Sequence, residues 1–181
     1  PVSIQYPAVE LLTASAFLLC LLAKGPGMES ALMCMFSSIL ITAAFIDARH
    51  MYIPDGIHIL ILLLSCISLA AGSGPAIINR LGGSLLAGGF LALVNLLSRG
   101  GVGWGDVKLF AASGLLIGAA PAITALLMGY VAAGLWYAVP LVRGRVGRKT
   151  QIPMAPFFAV SLMVCGLWFR QLFLWYLGFF R

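Results

Sequence analysis

Acidic residues are scarce in this chain: Asp and Glu together number 5 among 181 residues. All charged residues make up 9%, where a water-soluble domain carries about 25%, so a soluble globule is excluded. Histidine occurs twice and not after His58, which leaves Ser84 of the G-G-S stretch without a base downstream and removes a serine-protease reading. Cys20, Cys34, Cys66 and Cys165 lie singly inside apolar runs with no C-x-x-C spacing. Neither a zinc ribbon nor a disulfide framework is indicated, and they read as small core residues. The opening P-V-S-I-Q-Y-P has no basic flank leading into a short apolar run and cleavage site, so no removable signal peptide is expected.

What the chain holds in abundance is hydrocarbon, with 62% hydrophobic residues and a mean hydropathy of +1.07. The runs are uniformly apolar instead of alternating, which predicts spanning helices and not strands. They cover about Pro7–Ala23, Ala31–Ile46, Gly56–Ala71, Ile77–Leu97, Asp106–Gly118, a stretch from near Pro121 to Val142, and Phe157–Phe180. Arg80 interrupts the fourth near its start. Gly82, Gly83, Gly88 and Gly89 are suited to close helix approach there. The expected fold is all-α, a polytopic membrane bundle of about six to seven transmembrane helices forming a single domain over residues 1–181. The fifth run reaches only about 20 Å against roughly 30 Å of hydrocarbon. It is either a tilted or partly inserted segment or part of a longer helix kinked at Pro121. If it does not cross, the side assignments after it invert. Trp168, Trp175 and Tyr176 are candidate interface anchors in the last run.

With alternating crossings, the stretches Asp47–Asp55, Ser98–Gly105 and Arg143–Pro156 share a side. That side carries Arg49, Arg99, Lys108, Arg143, Arg145, Arg148 and Lys149, against Lys24, Arg80 and Arg181 opposite. The positive-inside bias places the first group in the cytoplasm. The net charge of +6 therefore reads as membrane orientation and lipid contact, not as a nucleic-acid surface.

Asp47 closes the second run and Asp106 opens the fifth, so both fall on this cytoplasmic face. An acid at the edge of hydrocarbon is costly and marks a functional site by default. Two carboxylates close together there share a proton across a raised and a lowered pKa, the state an acid protease uses to activate water. Gly101, Gly103 and Gly105 would let a peptide backbone approach Asp106. Taken singly, each Asp reads as a helix cap; two on one face of so acid-poor a chain point to a site.

I-D-A-R-H-M-Y-I-P-D at Ile46–Asp55 and G-V-G-W-G-D-V-K-L at Gly101–Leu109 resemble the two signature stretches of the type IV prepilin peptidases. These are bacterial inner-membrane aspartic proteases of the G-x-G-D kind. S-I-Q-Y-P-A-V-E-L-L-T at Ser3–Thr13 resembles the segment after the methyltransferase domain of bifunctional members, and Q-I-P-M-A-P-F-F-A at Gln151–Ala159 a stretch ahead of the last helix, with Ala155 where the family has glycine. The resemblance implies Asp47 and Asp106 as the catalytic pair; Gly103, Gly105 and Lys108 are read from their positions as supporting the catalytic loop. It implies no cofactor and no metal. The implied substrate is a prepilin or pseudopilin, of a type IV pilus or type II secretion system, with a basic leader and a hydrophobic helix, cleaved at the cytoplasmic face. The cysteine-bearing methyltransferase domain is not represented in these residues, and no methyltransferase activity is expected from them.

Asp55 and Glu10 are candidates for contact with the leader, although a helix-start acid and an interfacial residue are the plainer readings of each. Lys108 is placed either to tune Asp106 or to snorkel to the headgroups. Two rival functions remain at this level. Asp47-x-x-His50 and Asp55-x-x-His58 have a same-face helical spacing that could hold a divalent metal. Against it, Pro54 interrupts a single helix through both pairs and Asp106 is left idle. A small ion or proton transporter would use intramembrane acids, but no inverted repeat is evident and the acids sit at one face.

Overall fold

A computed structural model of the chain describes residues 5–143 and 152–179. Seven helices run through these residues: α1 (Gln5–Lys24), α2 (Met28–His50), α3 (Asp55–Ala70), α4 (Ile77–Leu97), α5 (Trp104–Ile117), α6 (Ala119–Val142) and α7 (Ala155–Phe179). No strand occurs among the described residues. Helices α1, α2, α4, α6 and α7 are long and apolar enough to cross a membrane, and α3 is a shorter apolar helix. The protein is a multi-pass membrane helical bundle, as its hydropathy requires. Arg145, Arg148, Lys149, Gln151, Phe180 and Arg181, with Ser3 of the first quoted stretch, lie outside the described residues.

The uncertain fifth run resolves into a separate short helix. Gly118 has φ +88°, which ends α5 and lets α6 start at the next residue. Pro121 falls in the first turn of α6, where a missing N–H leaves no helical bond unmade. Asn79, at the start of α4, accepts the Ala119 N–H at 2.9 Å. The end of α5 and the starts of α4 and α6 therefore meet at one end of the bundle. Helix α5 runs antiparallel to α4.

Close packing explains how so short a helix is held. A Cβ on Gly83 would collide with the backbone of Gly114 and Gly118, and one on Gly88 would lie 2.6 Å from Ala111 Cβ. Of the four glycines singled out in the fourth run, these two make the approach. Gly82 reaches only ordinary contact with Ala119 at 3.7 Å, and Gly89 faces open space. Between Gly83 and Gly89 the chain widens into a π-helical turn, Ser84–Gly88, a local insertion that apolar periodicity does not disclose.

Arg80 is not a surface charge but a buried strut, 2% exposed. Its guanidinium donates to the carbonyls of Pro75 at 2.8 Å and Leu115 at 3.1 Å, to Ser68 Oγ at 2.9 Å and to the Ser73 carbonyl. These groups lie at the ends of α3 and α5 and in the turn after α3, and carbonyls at helix C-termini carry the partial negative charge that suits a cation. At the same end Lys24 and Glu29 pair at 2.8 Å across the α1–α2 turn. Trp168 also departs from expectation: it marks a kink in α7 (φ −124°, ψ 18°) and packs on the core, while Trp175 and Tyr176 are exposed.

A candidate active site at one end of the bundle

Asp47 lies inside α2, not in a polar loop. The sequence D-A-R-H contains no breaker, and Arg49 and His50 suit a helix C-terminus, so the helix continues to His50 and stops at Met51 in the left-handed region (φ 52°). The Met51 N–H donates to the Asp47 carbonyl at 2.8 Å. The Asp47 side chain is buried, and its Oδ2 accepts the backbone N–H of Ala155, the first residue of α7, at 2.9 Å. The start of α7 thus supplies both a donor and the positive end of a helix dipole to this carboxylate.

Asp106 is delivered by a loop with its own internal bonding. The buried Asn95 side-chain amide donates to the Val102 carbonyl. Gly100 N–H closes α4 onto the Asn95 carbonyl at 2.9 Å, and Gly101 N–H meets Ser98 Oγ at 3.0 Å. Arg99 (φ 53°) and Gly100 (φ 94°) make the left-handed reversal. Helix α5 begins at Trp104, two residues earlier than its apolar run, so Gly105 and Asp106 occupy its first turn. The expected clearance beside Asp106 is present at Gly103, where a Cβ would lie 3.4 Å from Asp106 Oδ2; a Cβ on Gly105 would lie 3.3 Å from Ile53.

Asp47 and Asp106 line one groove of about 790 Å³, which reaches from the glycine loop down to Tyr130 near the middle of α6. Burial, and after it the charge of Asp47, pushes the Asp106 carboxyl up to about 7. Asp55 and Lys108 sit in the same groove and pair at 2.6 Å, and the Lys108 ammonium holds the exposed Asp55 carboxyl below the usual carboxylate range. Glu10 is exposed on α1 and is not among the residues that line the groove.

The metal arrangement does not assemble. Helix α2 ends at His50 and α3 starts at Asp55, so the two Asp-x-x-His pairs do not share a helix. Asp47 turns to Ala155, and His58 turns to the Gly105 carbonyl at 3.0 Å. Among the described residues no three His, Cys, Asp or Glu side chains gather as a metal site. Three participants escaped the sequence reading: the Ala155 N–H, Tyr130, and His58 in any role but ligand. A backbone donor leaves no residue-type signal. Tyr130 sits in an apolar run with nothing local to distinguish it. The Cys residues, isolated in sequence, include one neighbouring pair in space, with Cys20 of α1 beside Cys34 of α2.

A profile described as the type IV leader peptidase family matches residues 34–138, which include Asp47 and Asp106. The chain is 31% identical over 173 residues to a "Prepilin leader peptidase/N-methyltransferase" of Bacillus subtilis (strain 168), covering 92% of this chain and 67% of that protein. A protein of the same name from Aeromonas hydrophila is 31% identical over 183 residues, 98% of this chain and 63% of the relative. A "Type 4 prepilin-like proteins leader peptide-processing enzyme" of Escherichia coli O78:H11 (strain H10407 / ETEC) is 33% identical over 162 residues, 86% and 58% respectively. The chain thus spans about two thirds or less of these relatives' length. No solved structure gives a significant match.

Proposed function

This chain belongs to the type IV leader peptidase family, and from that premise we propose that it is an aspartic endopeptidase whose working pair is Asp47 and Asp106. The observation that carries the reading is that these two acids, delivered by separate helices, line one groove, with the carboxyl of Asp106 pushed up to about 7 by burial and by Asp47. The roles divide by environment. Asp47 accepts the N-terminal N–H of α7 on Oδ2, a hydrogen bond that favours its charged form against the cost of burial. Asp106 holds the shared proton near neutral pH.

Hydrolysis then follows as general acid–base catalysis. Asp47 takes a proton from a water whose oxygen attacks the scissile carbonyl carbon. Asp106 donates its proton to the carbonyl oxygen as the carbon becomes tetrahedral. On collapse the C–N bond breaks, the nitrogen leaves with a proton from the Asp47 carboxyl, and a hydroxyl proton returns to Asp106. Gly103 leaves room for an extended backbone beside Asp106, and Gly105 and Lys108 flank it in the same turn.

The substrate is a prepilin or pseudopilin with a basic leader ahead of a hydrophobic helix, as the relatives' names suggest, cleaved at the cytoplasmic face of a bacterial inner membrane. Arg49, Arg99, Lys108 and Arg143 lie at or near the groove end, which supports that orientation. Asp55 contributes negative charge for the leader. The test is cleavage of a leader-bearing prepilin peptide by the purified chain in detergent, with and without chelator. Activity that survives chelation and is lost in both Asp47→Asn and Asp106→Asn supports the pair; an active Asp106→Asn variant rejects it.

A further inference from the structure

We propose that His58 is a positioning residue that fixes the peptide unit carrying Asp106. The inference rests on the reading of Asp106 as a working acid. His58 stands in the first turns of α3, 5% exposed, with Nε2 3.0 Å from the Gly105 carbonyl. A carbonyl oxygen only accepts, so Nε2 carries the proton and donates it. The Gly105 carbonyl and the Asp106 N–H are two edges of one rigid peptide plane. The second edge is held as well, because Asp106 N–H donates to the Gly103 carbonyl at 3.1 Å. Gly105 itself is packed against Ile53, 3.3 Å from where a Cβ would stand. With both edges and the α-carbon fixed, the direction in which the Asp106 side chain leaves the backbone is fixed too.

Packing alone does not call for an imidazole here. Helix α3 already presents Ile57, Ile61 and Leu64 to the core, all buried. His58 Nδ1 is buried with no hydrogen-bond partner, its nearest ionic neighbour being Asp55 Oδ1 at 3.5 Å. A buried polar atom left unsatisfied is destabilising, so a leucine would serve adhesion better. What leucine lacks is the donor aimed at Gly105. Asp55, three residues earlier in α3, reaches Lys108 at 2.6 Å. The N-terminus of α3 therefore grips the first turn of α5 on both sides of Asp106.

The experiment compares the wild-type chain with His58→Leu, His58→Gln and Asp106→Asn in detergent, measuring kcat, KM and Tm with a leader-bearing prepilin peptide. Misplacing a reacting group by about 1 Å costs on the order of a hundredfold. His58→Leu is expected to lower kcat by about tenfold to a hundredfold, with KM and Tm near wild type. His58→Gln, which restores an N–H of similar reach, is expected to recover most of kcat. An unchanged kcat in His58→Leu, a Gln variant no better than Leu, or a loss of kcat that tracks a fall in Tm would each overturn the inference. Should His58→Leu not fold, His58→Met takes its place under the same criteria. Asp106→Asn separates the two levels: if it is active, the reading of Asp106 itself fails; if it is inactive while His58→Leu turns over normally, only the role of His58 fails.

Discussion

The backbone N–H of Ala155 donates to Asp47 Oδ2 at 2.9 Å, and Ala155 is fully buried. The last long helix is thereby tied through its first peptide to an acid in the second. Substitution to Gly keeps the N–H and removes one methyl group. Substitution to Pro is compatible with a helix start, but it deletes the donor and sets a ring carbon against Oδ2. We expect Ala155→Gly to retain most peptidase activity and Ala155→Pro to lose it, with steady-state cleavage of a prepilin peptide as the measurement. Equal activity in the two would separate this hydrogen bond from catalysis.

The Asp106 carboxyl gives a pH dependence whose sign follows from linkage. Its ordinary value of 3.8 rises to about 7 in the folded protein, through burial first and Asp47 second. Below about pH 4 the group is protonated folded and unfolded, so it imposes no penalty. As pH rises from there through about 7, the unfolded chain releases a proton that the fold retains, and stability falls by up to a few kcal/mol. Asp106→Asn abolishes this term. Its Tm should exceed that of the wild type more at pH 8 than at pH 5, and wild-type kcat should decline above about pH 7. Parallel Tm profiles for the two proteins would reject the assignment.

These acids were legible in the sequence because they are rare and sit at the edges of apolar runs. Their environments were not. Hydropathy ended the second run at Ile46, while the helix runs on to His50, because polar residues without a breaker extend a helix as readily as apolar ones. The start of α5 was hidden for a different reason: Trp104 and Gly105 belong to the helix, but glycine density there reads as a turn up to Asp106. Gly118 is the reverse case: one positive φ divides α5 from α6 inside continuous hydrocarbon, and Pro121, the more conspicuous residue, changes nothing. Long-range relations such as Ala155 to Asp47, or His58 to Gly105, depend on which helix faces which. A single sequence contains no period that reports them.

The crossing of α4 and α5 is held backbone to backbone at Gly83 and Gly114, each of which would drive a Cβ into the other helix. Overpacking of a well-packed interior costs about 1–3 kcal/mol, occasionally more. Gly114→Ala and Gly83→Ala should each destabilise the protein by a free energy of that order, read in detergent as a lower Tm. Gly89→Ala, which faces open space, should leave Tm unchanged or raise it, since alanine is the better helix former. A Gly114→Ala protein as stable as Gly89→Ala would show that the two helices do not approach as described.

The Lys108–Asp55 pair offers a way to separate anchoring from substrate contact. Lys108 and Asp55 meet at 2.6 Å, yet their side chains are 51% and 70% exposed. Exposed pairs contribute little to stability because water and salt screen them, so Asp55→Asn should leave Tm close to wild type. If Asp55 faces the basic leader, the same variant should raise KM for a leader with several lysines and leave KM unchanged for a leader in which they are replaced by glutamine. The exchange Asp55→Lys with Lys108→Asp restores an ion pair but reverses its field at the groove. It should match the wild type in Tm while binding the basic leader worse than Asp55→Asn does. Rising salt should narrow the gap between wild type and variants, since the attraction is screened over about 8 Å at physiological ionic strength. An exchange variant with wild-type KM would limit Asp55 to its partnership with Lys108 and leave the leader to other groups.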